Sequence, residues 1–204
     1  LPTKGEKKGK VFSFEINKRE SDRENVYYAK VINKKYLSRR IIHLELSMEN
    51  FNEKYYPGDT FGIYMNNARL LTDKLIKQLG FDRSYVVSKG VNKKLLKDTL
   101  LTDYEITLLT PAVLSKYAQL TNNKELHKLI SDKDRLKEYC RTRDVLDLVK
   151  DFTGNFSPEE FLSTLRNLTP RLYSVASSTL ANSNELHLTV GLIENTINKR
   201  KHRG

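Results

Sequence analysis

The hydrophobic period of this chain changes twice, and that order restricts its fold more than any other feature. Residues 26–65 run in short strand-like stretches. "VYYAKVI" (26–32) is rich in aromatic and β-branched residues. "IIHLEL" (41–46) sets Ile42, Leu44 and Leu46 on one face. "FGIYM" (61–65) follows the turn "YPGD", where Pro57 presets φ and Gly58 can take the positive φ of a type II turn. Residues 68–168 then keep a mostly helical period. "ARLLTDKLIKQLG" spaces Leu70, Leu71, Leu75 and Leu79 as a helix that stops at Gly80. "DVLDLVKDF" places Val145, Leu146, Leu148, Val149 and Phe152 on one helical face. "SPEEFLSTLRNL" opens with Ser157 as N-cap, Pro158 in the first turn and Glu160 closing a capping box. Its core face is Phe161, Leu162, Leu165 and Leu168. Strand texture returns at residues 171–176 and in "ELHLTVGLI", where Leu186, Leu188, Val190 and Leu192 alternate with His187, Thr189, Gly191 and Ile193. The economical architecture is α+β: a discontinuous β-domain (26–67 and 169–204) whose two parts pair across a helical insertion (68–168). Residues 1–25, rich in lysine and glutamate, read as a linker or arm.

Composition narrows the class. A chain of 204 residues makes one large domain or two small ones and can bury a real core. With 38% hydrophobic and 30% charged residues it reads as soluble and globular. No stretch approaches the roughly 18 apolar residues of a membrane span. The N-terminal lysines are not followed by the apolar region of a signal peptide. The single Cys140 excludes an intramolecular disulfide and suits a reducing, cytoplasmic compartment. The net charge of +11 fits a solvated lysine-rich surface, an acidic protein partner or nucleic acid. The 36 Lys and Arg are interspersed with 25 Asp and Glu, and the basic stretches lack interleaved aromatics, which weighs against nucleic acid.

Several chemistries are missing from the pattern. There is no G-x-G-x-x-G and no P-loop, no G-x-S-x-G elbow and no H-E-x-x-H. His43, His127, His187 and His202 are far apart in sequence, and with one cysteine they give no metal-site spacing. No metal is expected.

"TPRLYSVASS" (169–178) does carry chemistry. On a strand, Arg171 and Tyr173 point to one face and Leu172 and Ser174 to the other. An arginine fork suits a phosphate, a tyrosine offers a flat surface for a flat ring, and a serine hydroxyl can pair with a ring heteroatom. On these grounds alone the segment either holds a ligand with a ring and a phosphate or is a plain polar-faced strand.

"RLYSVASS" resembles the Arg-x-Tyr-Ser-x-x-Ser flavin motif of the ferredoxin–NADP reductase superfamily. "TPRLYSVASS…NELHLTVGLI" is similar to its diflavin reductase branch, nearest the flavoproteins of NADPH-dependent sulfite reductases. "ENVYYAKVINKKYLS", "IIHLELS" and "YYPGDTFGIYMNN" resemble other segments of that branch in the same order, from about Glu24 to Gly204. The resemblance implies an antiparallel Greek-key β-barrel that binds FAD, interrupted by a helical connecting subdomain and incomplete at its C-terminal end. It also implies roles. Arg171 binds the FAD pyrophosphate, with Leu172 beside it. Tyr173 stacks on the isoalloxazine. Ser174, the catalytic candidate, hydrogen-bonds near flavin N5. Thr189, Val190 and Gly191 edge the flavin with their backbone. Thr107 matches a flavin-contacting position. Arg141 is either an adenine-end contact or a solvated helix arginine. Gly204 aligns with the first glycine of a Gly-x-x-Ser/Thr phosphate cradle. Asn195 stands where the branch often has an adenine-stacking tyrosine.

The activity implied is NADPH-dependent oxidoreduction, in which FAD accepts hydride and passes electrons through FMN to a haem-type acceptor, as in sulfite reduction. FMN and NADPH belong to a flavodoxin-like domain and a nicotinamide-binding domain outside this chain, and the partner is a haem-type sulfite reductase subunit. The rest of the phosphate cradle is expected past Gly204, so this stretch alone should hold FAD weakly and not turn over NADPH. The alternatives are another diflavin reductase, serving a cytochrome P450 or methionine synthase, and a basic non-enzymatic interaction or nucleic-acid-binding domain.

Overall fold

The computed structural model describes residues 26–89, 92–197 and 200–203. The expected arm at 1–25 lies outside the described residues. The rest divides into two compact units. A β unit takes the residues up to Met65 together with Thr169–Leu192. A mostly helical unit takes Asn66–Leu168 and the residues from Ile193 onward.

In the β unit, β1 (Val31–Ser38) and β2 (Ile41–Ser47) form an antiparallel hairpin. The first strand starts later than the "VYYAKVI" pattern suggests. Its aromatic leading end packs on the core instead: Ala29 is buried, and Tyr27 and Val31 lie against the same cluster. β2 also pairs with β7 (Glu185–Gly191), antiparallel and without a register break, from Ile41↔Gly191 to Ser47↔Glu185. β3 (Thr60–Ile63) pairs with β6 (Arg171–Ser174). Ile42, Leu46, Phe61, Ile63, Val175, Leu186, Leu188 and Val190 are buried in one cluster. Alternation places them there, because residues two apart on a strand share a face.

The strands do not close into the expected barrel. Among the described residues they make a three-stranded sheet, β1-β2-β7, and the two-stranded sheet β3-β6. β6 is only four residues long, and its continuation meets β7 at a single bridge, Val175↔Leu188. The "YPGD" turn fastens these pieces. Gly58 has φ +87°, as the type II reading requires. Its N–H donates to Val175 O at 3.0 Å, and Val175 N–H donates to Asp59 O at 2.8 Å.

The helical unit contains α1 (Arg69–Leu79), α2 (Leu96–Thr102), α3 (Pro111–Thr121), α4 (Lys124–Ser131), α5 (Lys133–Thr142), α6 (Val145–Asp151) and α7 (Pro158–Thr164). α1 ends at Gly80 in the left-handed region, φ 69°. Its buried residues are Thr72, Leu75 and Ile76, while Leu70, expected in the core, is 66% exposed. The side chain at 76 continues the inward stripe from Thr72 and Leu75, and position 70 falls outside it. α6 buries Val145, Leu146, Leu148 and Val149, with Phe152 packed against them, as its spacing predicts. α7 carries the Ser157–Glu160 capping box and buries Phe161 and Leu162; Leu165 is buried as its C-cap. No helix among the described residues is long and apolar enough to cross a membrane.

Two hairpins in this unit escape the periodicity. β4 (Val86–Lys89) pairs with β5 (Asn92–Leu95) inside the helical stretch. β8 (Glu194–Ile197) pairs with β9 (Arg200–Arg203). The described residues past 192, expected with the strands, group instead with the helices. An ion pair ties this hairpin to the helices: the Arg200 guanidinium lies 2.6 Å from both Asp144 Oδ1 and Asp147 Oδ2 at the N-terminus of α6. Burial works against the guanidinium's charge, but the hydrogen bonds it donates to both carboxylates prevail and raise its pKa.

Ser157→Ala removes one reciprocal cap and should lower stability by about 1 kcal/mol. Arg200→Ala strips the cation from buried Asp144 and should cost about 3 kcal/mol. Urea unfolding checks both, as midpoint shifts at unchanged slope. Equal shifts would contradict the ranking.

Candidate functional site

β6 positions the four central candidates. Burial alternates along it, with Arg171 and Tyr173 half-buried and Leu172 and Ser174 exposed. Tyr173 sits opposite Phe61, which is fully buried, and Arg171 opposite Ile63. Directly opposed residues share a face, so Arg171 and Tyr173 lie on the core-side face of this ribbon. Tyr173 packs against the β-unit core. Burial raises its phenol pKa, with Arg171 opposing more weakly, so the ring is a neutral flat surface near pH 7. Leu172 is 63% exposed on the other face, and Ser174 stands at the strand end opposite Thr60.

β7 brings in the second group. Ala176 N–H donates to His187 O at 2.9 Å just past the Val175↔Leu188 bridge, so the end of β6 runs into the middle of β7. Val190 is buried, so its side chain belongs to the core and only its backbone reaches the edge. Thr189 and Gly191 are exposed. A Cβ added at Gly191 would meet nothing within 4 Å, so the space before this backbone is open. The β unit thus gathers Arg171, Leu172, Tyr173, Ser174, Thr189, Val190 and Gly191.

The other candidates lie in the helical unit. Thr107 donates its hydroxyl to Glu105 Oε1 at 2.5 Å, and its N–H donates to the same oxygen at 2.8 Å. Glu105 is buried, with Arg166 3.8 Å away. Thr107 is therefore a structural partner of a buried carboxylate. Arg141 donates from Nε and Nη2 to Glu138 one turn earlier on α5, and both side chains are largely exposed. This geometry is that of a solvated helix arginine. Asn195 pairs with His202 in the β8–β9 hairpin. Gly204 lies outside the described residues.

Sequence reasoning passed over one positioning group and read another only as a turn. Ser177, the last serine of the Arg-x-Tyr-Ser-x-x-Ser string, is buried, donates to Glu185 O at 3.2 Å and accepts from His187 N–H at 3.0 Å. It fixes the loop after β6 to the start of β7. Gly58 and Asp59 clamp Val175 from the other side. The signal for both was present in the motif strings, but as likeness and not as hydrogen bonding.

Comparison with known proteins identifies the family. A family model described as FAD binding domain matches residues 19–204. The chain is 41% identical over 168 residues to the sulfite reductase [NADPH] flavoprotein alpha-component of Bacillus subtilis (strain 168), covering 79% of this chain and 28% of that protein. It is 33% identical over 177 residues to the protein of the same name in Aliivibrio fischeri, covering 84% of the chain and 29% of the relative. The Vibrio parahaemolyticus protein of that name is 31% identical over 188 residues, covering 90% and 30%. The chain spans less than a third of the length of these relatives.

Thr107→Ala leaves buried Glu105 short of a donor and should destabilise by about 2 kcal/mol, with Thr107→Ser restoring most of it. Arg141→Ala should change stability by less than about 0.5 kcal/mol. Thermal unfolding of the three variants decides between these roles, and a large loss in Arg141→Ala would show that its pairing with Glu138 is not its whole environment.

Proposed function

Because this chain belongs to the FAD binding domain family, we propose that it is the FAD-holding part of an NADPH-dependent diflavin reductase of the sulfite reductase type. FAD is its cofactor. The observation that carries the residue assignment is the shared face of Arg171 and Tyr173 on β6. That donor set fits a flavin dinucleotide.

Arg171 would bind the pyrophosphate, whose oxygens match the guanidinium fork. Tyr173, held neutral and backed by the core, would lie against the isoalloxazine ring. Ser174, exposed at the strand end, would place its hydroxyl at flavin N5. Thr189 and Gly191 would line the ring with backbone, Val190 anchoring that strand in the core. Ser177 and the "YPGD" turn hold β6 and β7 at fixed spacing, so these groups are positioned before the cofactor arrives. When bound, the flavin supplies the redox chemistry, accepting hydride from NADPH and releasing electrons toward FMN and a haem-type acceptor. On this reading the open sheets of the β unit would be part of an antiparallel Greek-key barrel, and residues 68–168 would be a connecting insertion. The partners on this reading are FMN- and NADPH-binding domains of the same protein and a haem-type sulfite reductase subunit; the relatives' names, which give NADPH, a flavoprotein and an alpha-component, support an assembly with other components.

Titrating the chain into FAD and following flavin fluorescence tests this reading. Arg171→Gln and Tyr173→Ala should each weaken binding about tenfold or more, near 1.4 kcal/mol. Lys77→Ala, which removes an equal charge on α1, should leave it unchanged. Absence of FAD binding, or equal affinity in all four proteins, would refute the assignment.

A further inference from the structure

The face of the β2–β7 ladder turned away from the core gathers two histidines and two carboxylates, with Thr189 directly opposite His43. Glu45 sits directly opposite His187, and His43 lies two residues back on β2, on the same face. The two imidazoles meet edge to face with centroids 5.0 Å apart. We propose that His43, Glu45 and His187 form a binding site for a divalent transition-metal ion of the zinc type.

The geometry carries this. One ligand atom from each of the three residues lies within 4.8 Å of the others. His43 Nε2 is 3.6 Å from Glu45 Oε1. Tetrahedral donors about 2.0–2.1 Å from zinc stand roughly 3.3 Å apart, so small side-chain rotations close the set. Two imidazoles and a carboxylate select zinc or cobalt over magnesium or calcium, which prefer oxygen alone. The side chains are 22%, 24% and 16% exposed, shielded yet open on one side, which leaves a fourth position for water. Glu185 supplies a further carboxylate, its Oε2 2.9 Å from His187 Nε2. The carboxylates are themselves oriented: Asn33 Nδ2 donates to Glu45 Oε1 at 3.1 Å, and Asn182 Nδ2 to Glu185 Oε2 at 3.3 Å. All three ligands stand on paired strands, which hold their spacing. Lys35, opposite His43 on β1, is exposed, so water screens its charge.

The contrast with the helical unit sharpens the choice. Asp144, Asp147 and His202 also cluster, but Arg200 already sits 2.6 Å from both carboxylates and occupies the cation's place. Among the described residues no arginine forms an ion pair with the β-sheet set. An ion there would clip β2 to β7 and stabilise the fold by linkage.

The test uses Co2+ as an optical probe on the chelator-treated 204-residue chain, without FAD, so its outcome is independent of the flavin assignment. The expected result is one equivalent of Co2+ giving the strong visible bands of a tetrahedral site, displaced by Zn2+. The double variant His43→Ala, His187→Ala should lose the bands and bind at least about 100-fold more weakly. Glu45→Gln keeps the side-chain shape and should weaken the ion about tenfold or more. Asp147→Asn should leave the spectrum unchanged. Absence of the bands in the unmodified chain, or bands that survive both the double variant and Glu45→Gln, would overturn the proposal.

Discussion

The unbroken antiparallel ladder between β2 and β7 is the constraint on which the β unit rests. It joins segments on either side of the helical stretch, so its formation carries the entropy of closing a long loop. A ladder of such high sequence separation forms slowly and must be rewarded by burial. The reward is the alternating set Ile42, Leu46, Leu186, Leu188 and Val190, all buried against Phe61. Register follows from the same set. A slip of one residue would turn these side chains to water and bring His43, Glu45 and His187 into the core, so the pairing is strongly specified.

The flavin candidates depend on that ladder indirectly. β6 is short, and its place relative to β7 comes from hydrogen bonds at its end, not from a long ladder of its own. Val175 is held by Gly58 and Asp59, and Ser177 is held by Glu185 and His187. Arg171 and Tyr173 are therefore presented on a strand whose far end is anchored on both sides. The helical unit solves a different problem. Its short helices rely on side-chain caps at Thr110, Asn123, Asp132, Asp144 and Ser157, since helices of seven to eleven residues are marginal without packing and capping.

Much of this was legible in the chain because it is local chemistry. The Ser157 box, the left-handed Gly80, the Gly58 turn and the inward face of α6 each follow from a few neighbouring residues. The inward faces of β2 and β7 follow from strict alternation. The β4–β5 and β8–β9 hairpins were not legible: "VVSK", "NKKL", "ENTI" and "RKHR" show no clean alternation, and their pairing is set by neighbours. Leu70 misled because leucines at positions 70, 71, 75 and 79 are spread over more of the helix than one buried stripe can cover. Thr107 and Arg141 matched by position, but their partners, a buried glutamate and a surface one, are three-dimensional facts.

By itself, then, the amino-acid order determined the alternation of strand and helix, the caps, and the Arg171–Ser174 string with its capacity for a phosphate and a flat ring. These are properties of residues within one or two turns of each other, and of likeness to a family. Only the tertiary structure decided that the sheets stay open among the described residues, that the β8–β9 hairpin joins the helices through Arg200, and that His43 meets His187. Each of those outcomes depends on pairing between residues distant in sequence. Long-range register and ion pairs are selected by total burial and charge neutralisation, and no local pattern encodes them.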